Sequence, residues 1–238
     1  MKRTAFINEK HSMEKKVSIK KNVLSENNRL ASEIRRKLTK KRIVSLNLVS
    51  SPGSGKTSLL EKTLETLNDK LNMALIAGDV QTENDAARLT RAGGRTVRPL
   101  VTGGACHLDA AMITRTLDEM ALSDIDLLFI ENVGNLVCPS SYDLGENMKV
   151  VVISTTEGDD KPLKYPAMFR RSSVMVINKI DLLGLSDFDL ERVRKNALRI
   201  NPDLKTFELS CRNGEGLAAW FDWLVDYVAM KQAIESEE

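Results

Sequence analysis

Ile43-Val44-Ser45-Leu46-Asn47-Leu48-Val49, then Ser50-Ser51-Pro52-Gly53-Ser54-Gly55-Lys56-Thr57, then a helical pattern from Ser58, is the stretch that decides how the chain is read. In this order it predicts a strand, a phosphate loop and a helix. Backbone N–H groups of a small-residue loop converge on phosphate oxygens, and the helix that follows points its positive end at them. Gly53, Ser54, Gly55, Lys56, Thr57 and Ser58 are the nucleotide-binding candidates. Lys56 is expected to reach the β- and γ-phosphates as a catalytic residue, and the Thr57 hydroxyl to ligate Mg²⁺. Ser50 stands where the usual G-x-x-x-x-G-K-[ST] pattern has its first glycine.

Downstream of the loop, residues 55–71 read as a helix with Leu59, Leu60, Leu64, Leu67 and Leu71 on one face. Met73 to Ala77 reads as a buried strand delivering Asp79 just past its C-terminal end, where ligands bind in open parallel sheets. A helix over Asp85 to Arg91 and a strand over Thr96 to Val101 follow. Thr102-Gly103-Gly104 leads to Ala105-Cys106-His107, expected at the start of a helix running to about Ala121. Apolar runs at Leu127–Ile130, Val150–Ile153 and Val174–Ile177 predict three more strands, Thr206–Leu209 reads as the last strand, and a C-terminal helix carries Trp220, Trp223, Leu224 and Val228. Strands alternating with helices predict an α/β fold: a doubly wound, mainly parallel sheet with helices on both faces.

The strand at Val174–Ile177 ends in Asn178-Lys179-Ile180-Asp181. An aspartate carboxylate can accept hydrogen bonds from both N1–H and the exocyclic amine of guanine, a pattern that adenine lacks. Asp181 thus selects as well as binds. Asn178 is expected at the base's other edge, the Lys179 stem over its face, and Ser210 and Cys211 in the same base-contacting region. The expected nucleotide is therefore GTP or GDP.

The chain has only two histidines and three cysteines, yet Cys106 and His107 are adjacent and Cys138 follows seven residues after Glu131. Thiolate and imidazole suit Ni²⁺ or Zn²⁺. Three ligands do not close a four-coordinate shell, so a two-fold axis, a water or a partner must complete it. Glu131-Asn132-Val133-Gly134 is expected where a P-loop GTPase senses the γ-phosphate, on the same loop as Cys138. Asp79 and Glu131 are the candidates for holding Mg²⁺ and orienting the attacking water, in either order. Lys161 either contacts phosphate across a dimer interface or is a solvated loop lysine. Cys211 reads as a small buried hydrophobe.

No apolar run approaches the roughly 20 residues of a membrane helix, and charged residues interrupt the N-terminus where a secretory signal would be apolar, so a cytoplasmic protein without membrane contact is expected. Residues 1–42 carry 14 Lys/Arg against 4 Asp/Glu, whereas the rest carries 21 against 29. This extension is either an arm for an acidic partner or an amphipathic helix packing through Ile19, Val23, Leu30, Ile34 and Leu38. Phe129 is the only aromatic residue between Phe6 and Tyr142, which argues against a base-stacking platform for nucleic acid. The boundary between extension (1–42) and GTPase domain (43–238) is placed near Lys40–Arg42.

Taken together, Ser51–Thr57, Gly78-Asp79-Val80-Gln81-Thr82, Thr102–Leu108, Glu131–Pro139 and Asn178–Asp181 resemble, in order, the HypB family of GTPases that help insert nickel into [NiFe]-hydrogenase. The resemblance covers about residues 43–220. It implies a dimerising P-loop GTPase, hydrolysis of GTP to GDP and phosphate, and metal held at a subunit interface by Cys106, His107 and Cys138. It also implies a small nickel- and zinc-binding chaperone of the HypA type as partner, and a hydrogenase large-subunit precursor as client. Many members carry an N-terminal cysteine cluster or a histidine-rich tract; residues 1–42 hold no cysteine and only His11. A urease-type nickel GTPase is a second reading, disfavoured because that family carries Cys-Pro-His. A nucleotide-gated dimerisation module with structural zinc is a third. A small-molecule kinase is argued against by Asn178–Asp181.

Overall fold

The computed structural model describes residues 22–234. Seven strands are linked by helical crossovers: β1 (Val44–Ser50), β2 (Met73–Asp79), β3 (Thr96–Val101), β4 (Leu127–Glu131), β5 (Met148–Ser154), β6 (Ser172–Asn178) and β7 (Lys205–Glu208). They form one sheet in the order β3-β2-β4-β1-β5-β6-β7, and every pairing is parallel. The expected mainly parallel sheet is thus parallel throughout the described residues. β1, β4 and β5 are buried along nearly their whole length, as strands covered on both faces must be.

Alternation along the strands assigns the two covers. Leu46, Leu48, Val150 and Val152 pack against α2 (Lys56–Leu67), α3 (Asn84–Arg91) and α8 (Leu217–Ile234), with Leu60, Leu64, Leu89 and Trp220 in the same cluster. On the other face, Ala74, Ile76, Leu128 and Ile130 meet α4 (Ala110–Asp118) and α1, the helix over residues 22–40. Val151, Ile153 and Ile177 meet α6 (Pro166–Arg171) and α7 (Leu190–Ile200), while α5 (Lys161–Lys164) is a single turn before α6. In α1, Ile34 and Leu38 are buried, Leu30 partly so, and Val23 is exposed; Ala31 completes the stripe. Ile19 lies outside the described residues. None of the described helices is long and apolar enough to cross a membrane.

β1 lies between β4 and β5, where the direction of sheet growth reverses, and the loops leaving the C-terminal ends of these three strands face one crevice. The phosphate loop follows β1, Glu131 to Cys138 follow β4, and Glu157 to Lys161 follow β5. One expectation changes. α4 begins at Ala110, because Asp109 adopts an extended conformation and its carboxylate caps the helix by accepting from Met112 N at 2.8 Å. Cys106 and His107 therefore lie on the loop before the helix, shaped by the positive-φ pair Gly103 and Gly104 and by the Thr102 hydroxyl donating to Ala105 O at 2.6 Å.

Candidate functional site

The phosphate loop is tied down from several sides. Gly55 has a φ of +97° at the start of α2, and a Cβ there would collide with Asn178 Nδ2, so the position needs glycine on both counts. Lys56 is buried, and its ammonium donates to Ser50 Oγ at 2.8 Å. The serine that replaces the first glycine of the usual pattern thus holds the phosphate-loop lysine.

Thr57 Oγ1 donates to Glu131 Oε1 at 2.7 Å, whereas Glu131 Oε2 is buried with no hydrogen-bond partner among the described residues. Burial lifts the Glu131 pKa from 4.5 to about 7, even though Lys56 and the Thr57 hydroxyl act to lower it. An enclosed carboxyl with one unpartnered oxygen, beside a hydroxyl on the first turn after a phosphate loop, is a donor set that fits a hard divalent cation such as Mg²⁺. Asp79 ends β2 on the same side of the sheet. Burial acts to raise its pKa, but the backbone N–H groups of Gln81 and Thr82, both 2.8 Å from Oδ1, hold it below the ordinary carboxylate value.

Residues after β5, of which only Lys161 is singled out by sequence, complete the loop's surroundings. Glu157 Oε1 accepts from Ser54 Oγ at 2.5 Å and from Ser154 N at 3.2 Å. Lys161 Nζ donates to Ser51 Oγ at 2.7 Å and pairs with Glu157 Oε2 at 2.7 Å. Lys161 is not the solvated loop lysine of the second expectation: it lies against the phosphate loop of its own chain, with 17% of its side chain exposed. The overlooked signal for Glu157 is a charged cluster directly after the strand that neighbours β1.

Beside the end of β6, Gly55, Ser58, Asn178, Lys179, Asp181 and Cys211 line one cleft of about 250 Å³. Ser210 Oγ donates to Asp181 Oδ1 at 2.5 Å and fixes its carboxylate. Asn178 joins three loops: Nδ2 donates to Ser54 O at 3.0 Å, and Oδ1 accepts from Lys179 N at 2.8 Å and Cys211 N at 3.2 Å. The bond to Ser54 uses one of its two Nδ2 hydrogens. Burial pushes the Cys211 thiol up to about 11, as for a neutral packed thiol.

The third group is the cysteine–histidine cluster. Ligand atoms of Cys106, His107 and Cys138 lie within 4.8 Å of one another, with the two sulfurs 3.0 Å apart. Cys138 opens a 3₁₀ turn, Cys138–Ser141. The His107 ring lies on the Tyr142 ring, centroids 4.0 Å apart, and burial lowers its pKa, which favours the neutral imidazole that ligates metals. The hydrogen bond shared with Cys106, together with burial, raises the Cys138 thiol above its ordinary value. A cation between the sulfurs would reverse that by favouring thiolate.

The loop from Glu131 to Cys138 touches both centres. Gly134 lies on the phosphate loop, where a Cβ would stand 3.1 Å from Pro52 atoms. Asn132 Oδ1 accepts from Leu108 N at 3.2 Å, and Asn135 Nδ2 donates to Cys106 O at 3.2 Å. The segment that follows β4 is therefore hydrogen-bonded to the segment bearing Cys106 and His107.

With this geometry in hand, comparison with known proteins is specific. Residues 44–208 match the sequence model for the CobW/HypB/UreG nucleotide-binding domain. The hydrogenase maturation factor HypB of Rhizobium leguminosarum bv. viciae is 49% identical over 226 residues, which span 95% of this chain and 75% of the relative. The crystal structure of the hydrogenase maturation factor HypB from Archaeoglobus fulgidus superposes with a TM-score of 0.80 at 41% identity, covering 86% of this chain and 99% of that one. HypB from Helicobacter pylori, crystallised in complex with nickel, gives 0.81 at 38% identity over 87% and 97% of the two chains. The chain belongs to the CobW/HypB/UreG family of nucleotide-binding proteins, on its branch of HypB hydrogenase maturation factors.

Proposed function

We propose that this chain hydrolyses GTP to GDP and phosphate and acts as a nickel metallochaperone for [NiFe]-hydrogenase, with nucleotide state controlling metal affinity and dimerisation. The observation that carries the reading is the Cys106–His107–Cys138 cluster, wired through Asn132 and Asn135 to the loop that leaves Glu131. Nickel in the Helicobacter pylori relative supports the choice of cargo. On this reading the partners are a second copy of the chain, which completes the metal shell, a HypA-type chaperone that exchanges metal, and a hydrogenase large-subunit precursor.

The chain's own groups divide the work. Backbone N–H groups of residues 53–58 and the Lys56 ammonium hold the phosphates, while Asp181, fixed by Ser210, selects guanine. Thr57 and Glu131, with Asp79, would hold Mg²⁺, which would supply positive charge to offset the negative charge of the phosphates. Lys161, already at Ser51, supplies positive charge beside the γ-phosphate. Gly134 packs on Pro52 of the phosphate loop, so a change in that loop with the γ-phosphate shifts the segment carrying Cys138 relative to Cys106 and His107, and metal geometry differs between GTP and GDP states.

The test is metal content and mass in solution of the GDP and non-hydrolysable-GTP forms, by elemental analysis and light scattering. The reading expects one form to retain more nickel and the GTP form with metal to be dimeric. A monomer with the same nickel content in both forms would oppose it.

A further inference from the structure

Asn27 is a buried polar residue in a stretch of α1 that otherwise packs through Leu30, Ala31, Ile34 and Leu38. Its amide joins two segments distant in sequence: Nδ2 donates to Asp143 O at 2.8 Å, and Oδ1 accepts from Ala110 N at 2.9 Å. Ala110 opens α4 three residues after His107, and Asp143 lies five residues after Cys138. Between these two attachments, Tyr142 lies on the His107 ring. α1 holds the second segment by two more contacts. Arg35 pairs with the Asp143 carboxylate at 2.7 and 2.9 Å, and a Cβ on Gly145 would stand 2.6 Å from Ala31 O.

We propose that Asn27 is a positioning residue for the metal centre: it clamps the segment bearing Cys106 and His107 to the segment bearing Cys138 and so sets the separation of the ligands. The inference rests on the metal-site reading of those three residues. It makes the basic N-terminal helix a structural part of the metal centre rather than only a cover for the sheet. Metal affinity depends on ligand atoms being held at one geometry, and residues that orient ligands without touching the ion typically contribute about 10–100-fold. Asn27 does this through backbone, since both ends of its amide are fixed and neither bond reaches the phosphate loop.

The experiment titrates Ni²⁺ into the full-length, GDP-bound protein and follows thiolate-to-nickel charge-transfer absorption. It compares the native chain with Cys138→Ser, Asn27→Ala, Asn27→Asp and Arg35→Ala. Asn27→Ala is expected to weaken nickel binding about tenfold or more and to shift the absorption band, with GDP affinity unchanged. Asn27→Asp keeps the acceptor for Ala110 N and loses the donor to Asp143 O, so it should move in the same direction. Arg35 is 41% exposed, so Arg35→Ala keeps the fold and should give a smaller loss of the same sign; these two variants decide the matter if Asn27→Ala fails to fold. Unchanged nickel affinity and band in the Asn27 and Arg35 variants, with Cys138→Ser impaired, would overturn the proposal and leave the metal site standing. Native and Cys138→Ser titrating alike would overturn the metal-site reading, and this proposal with it. A lowered melting temperature with native nickel affinity would reduce Asn27 to a packing role and also overturn it.

Discussion

Glu131→Gln in the nucleotide-free protein keeps an acceptor for the Thr57 hydroxyl and removes a buried charge. The native carboxyl is fully enclosed, and its pKa of about 7 lies above its ordinary value of 4.5. An acid with a raised folded pKa contributes stability that is present below the unfolded pKa and is lost as pH rises through the folded one. The rise from 4.5 to about 7 corresponds to about 3 kcal/mol, lost mainly between those two pH values. The amide introduced by the substitution does not titrate, and any constant cost of burying it cancels from the pH dependence. Between pH 5 and pH 8, the stability of Glu131→Gln relative to the native chain should therefore grow by about 2–3 kcal/mol, or about 5–10 °C in melting temperature for a chain of this size. Thermal denaturation across that range reads the difference directly. Mg²⁺ and GDP should flatten the native profile, because a cation at Glu131 favours the carboxylate. Parallel profiles for native and variant protein without nucleotide would refute the claim that Glu131 is an enclosed, readily protonated carboxyl awaiting a cation.

Two further outcomes follow from the nucleotide end. Lys56→Ala should abolish GTP turnover, because a phosphate contact worth several kcal/mol in the transition state, of the order of 10²–10³-fold or more, is removed; phosphate release at the native rate would contradict it. Asp181→Asn should exchange the guanine preference for xanthine, since an amide can donate where the carboxylate accepts. Competition between GTP, XTP and ATP for a fluorescent GDP analogue reads this, and equal binding of ATP and GTP by the native chain would oppose the guanine assignment.

Much of the fold is legible in the sequence because a strand buried on both faces leaves an unbroken apolar run. Leu127–Ile130 and Val174–Ile177 lie within β4 and β6, and the phosphate loop anchors β1 and α2 between them. α7 is not anticipated, although Asp189 as its cap with Val193 and Ala197 at helical spacing carries the signal. The start of α4 is misplaced because Gly103-Gly104 suggests a helix entry by itself, whereas Asp109 caps the helix through Met112 N. At the candidate site, Cys106, His107 and Cys138 stand out by rarity and do come together. Glu157 is missed because its importance lies in its contact with the Ser54 hydroxyl of the phosphate loop, which spans 103 residues and leaves no local pattern. Asn27 is missed for the same reason: inside a basic amphipathic helix it reads as a solvent-facing position.

The central claim, that nucleotide state and nickel binding are coupled through the loop from Glu131 to Cys138, is tested most directly by titrating Ni²⁺ into GDP-bound and GTP-analogue-bound native protein and into Cys138→Ala in both states. Linkage makes the effect reciprocal: if the GTP state changes nickel affinity about tenfold, nickel changes the preference for GTP over GDP by the same factor, about 1.4 kcal/mol. The account predicts different nickel affinities in the two native states and loss of both the binding and the difference in Cys138→Ala. Identical nickel affinity in all four samples would contradict it.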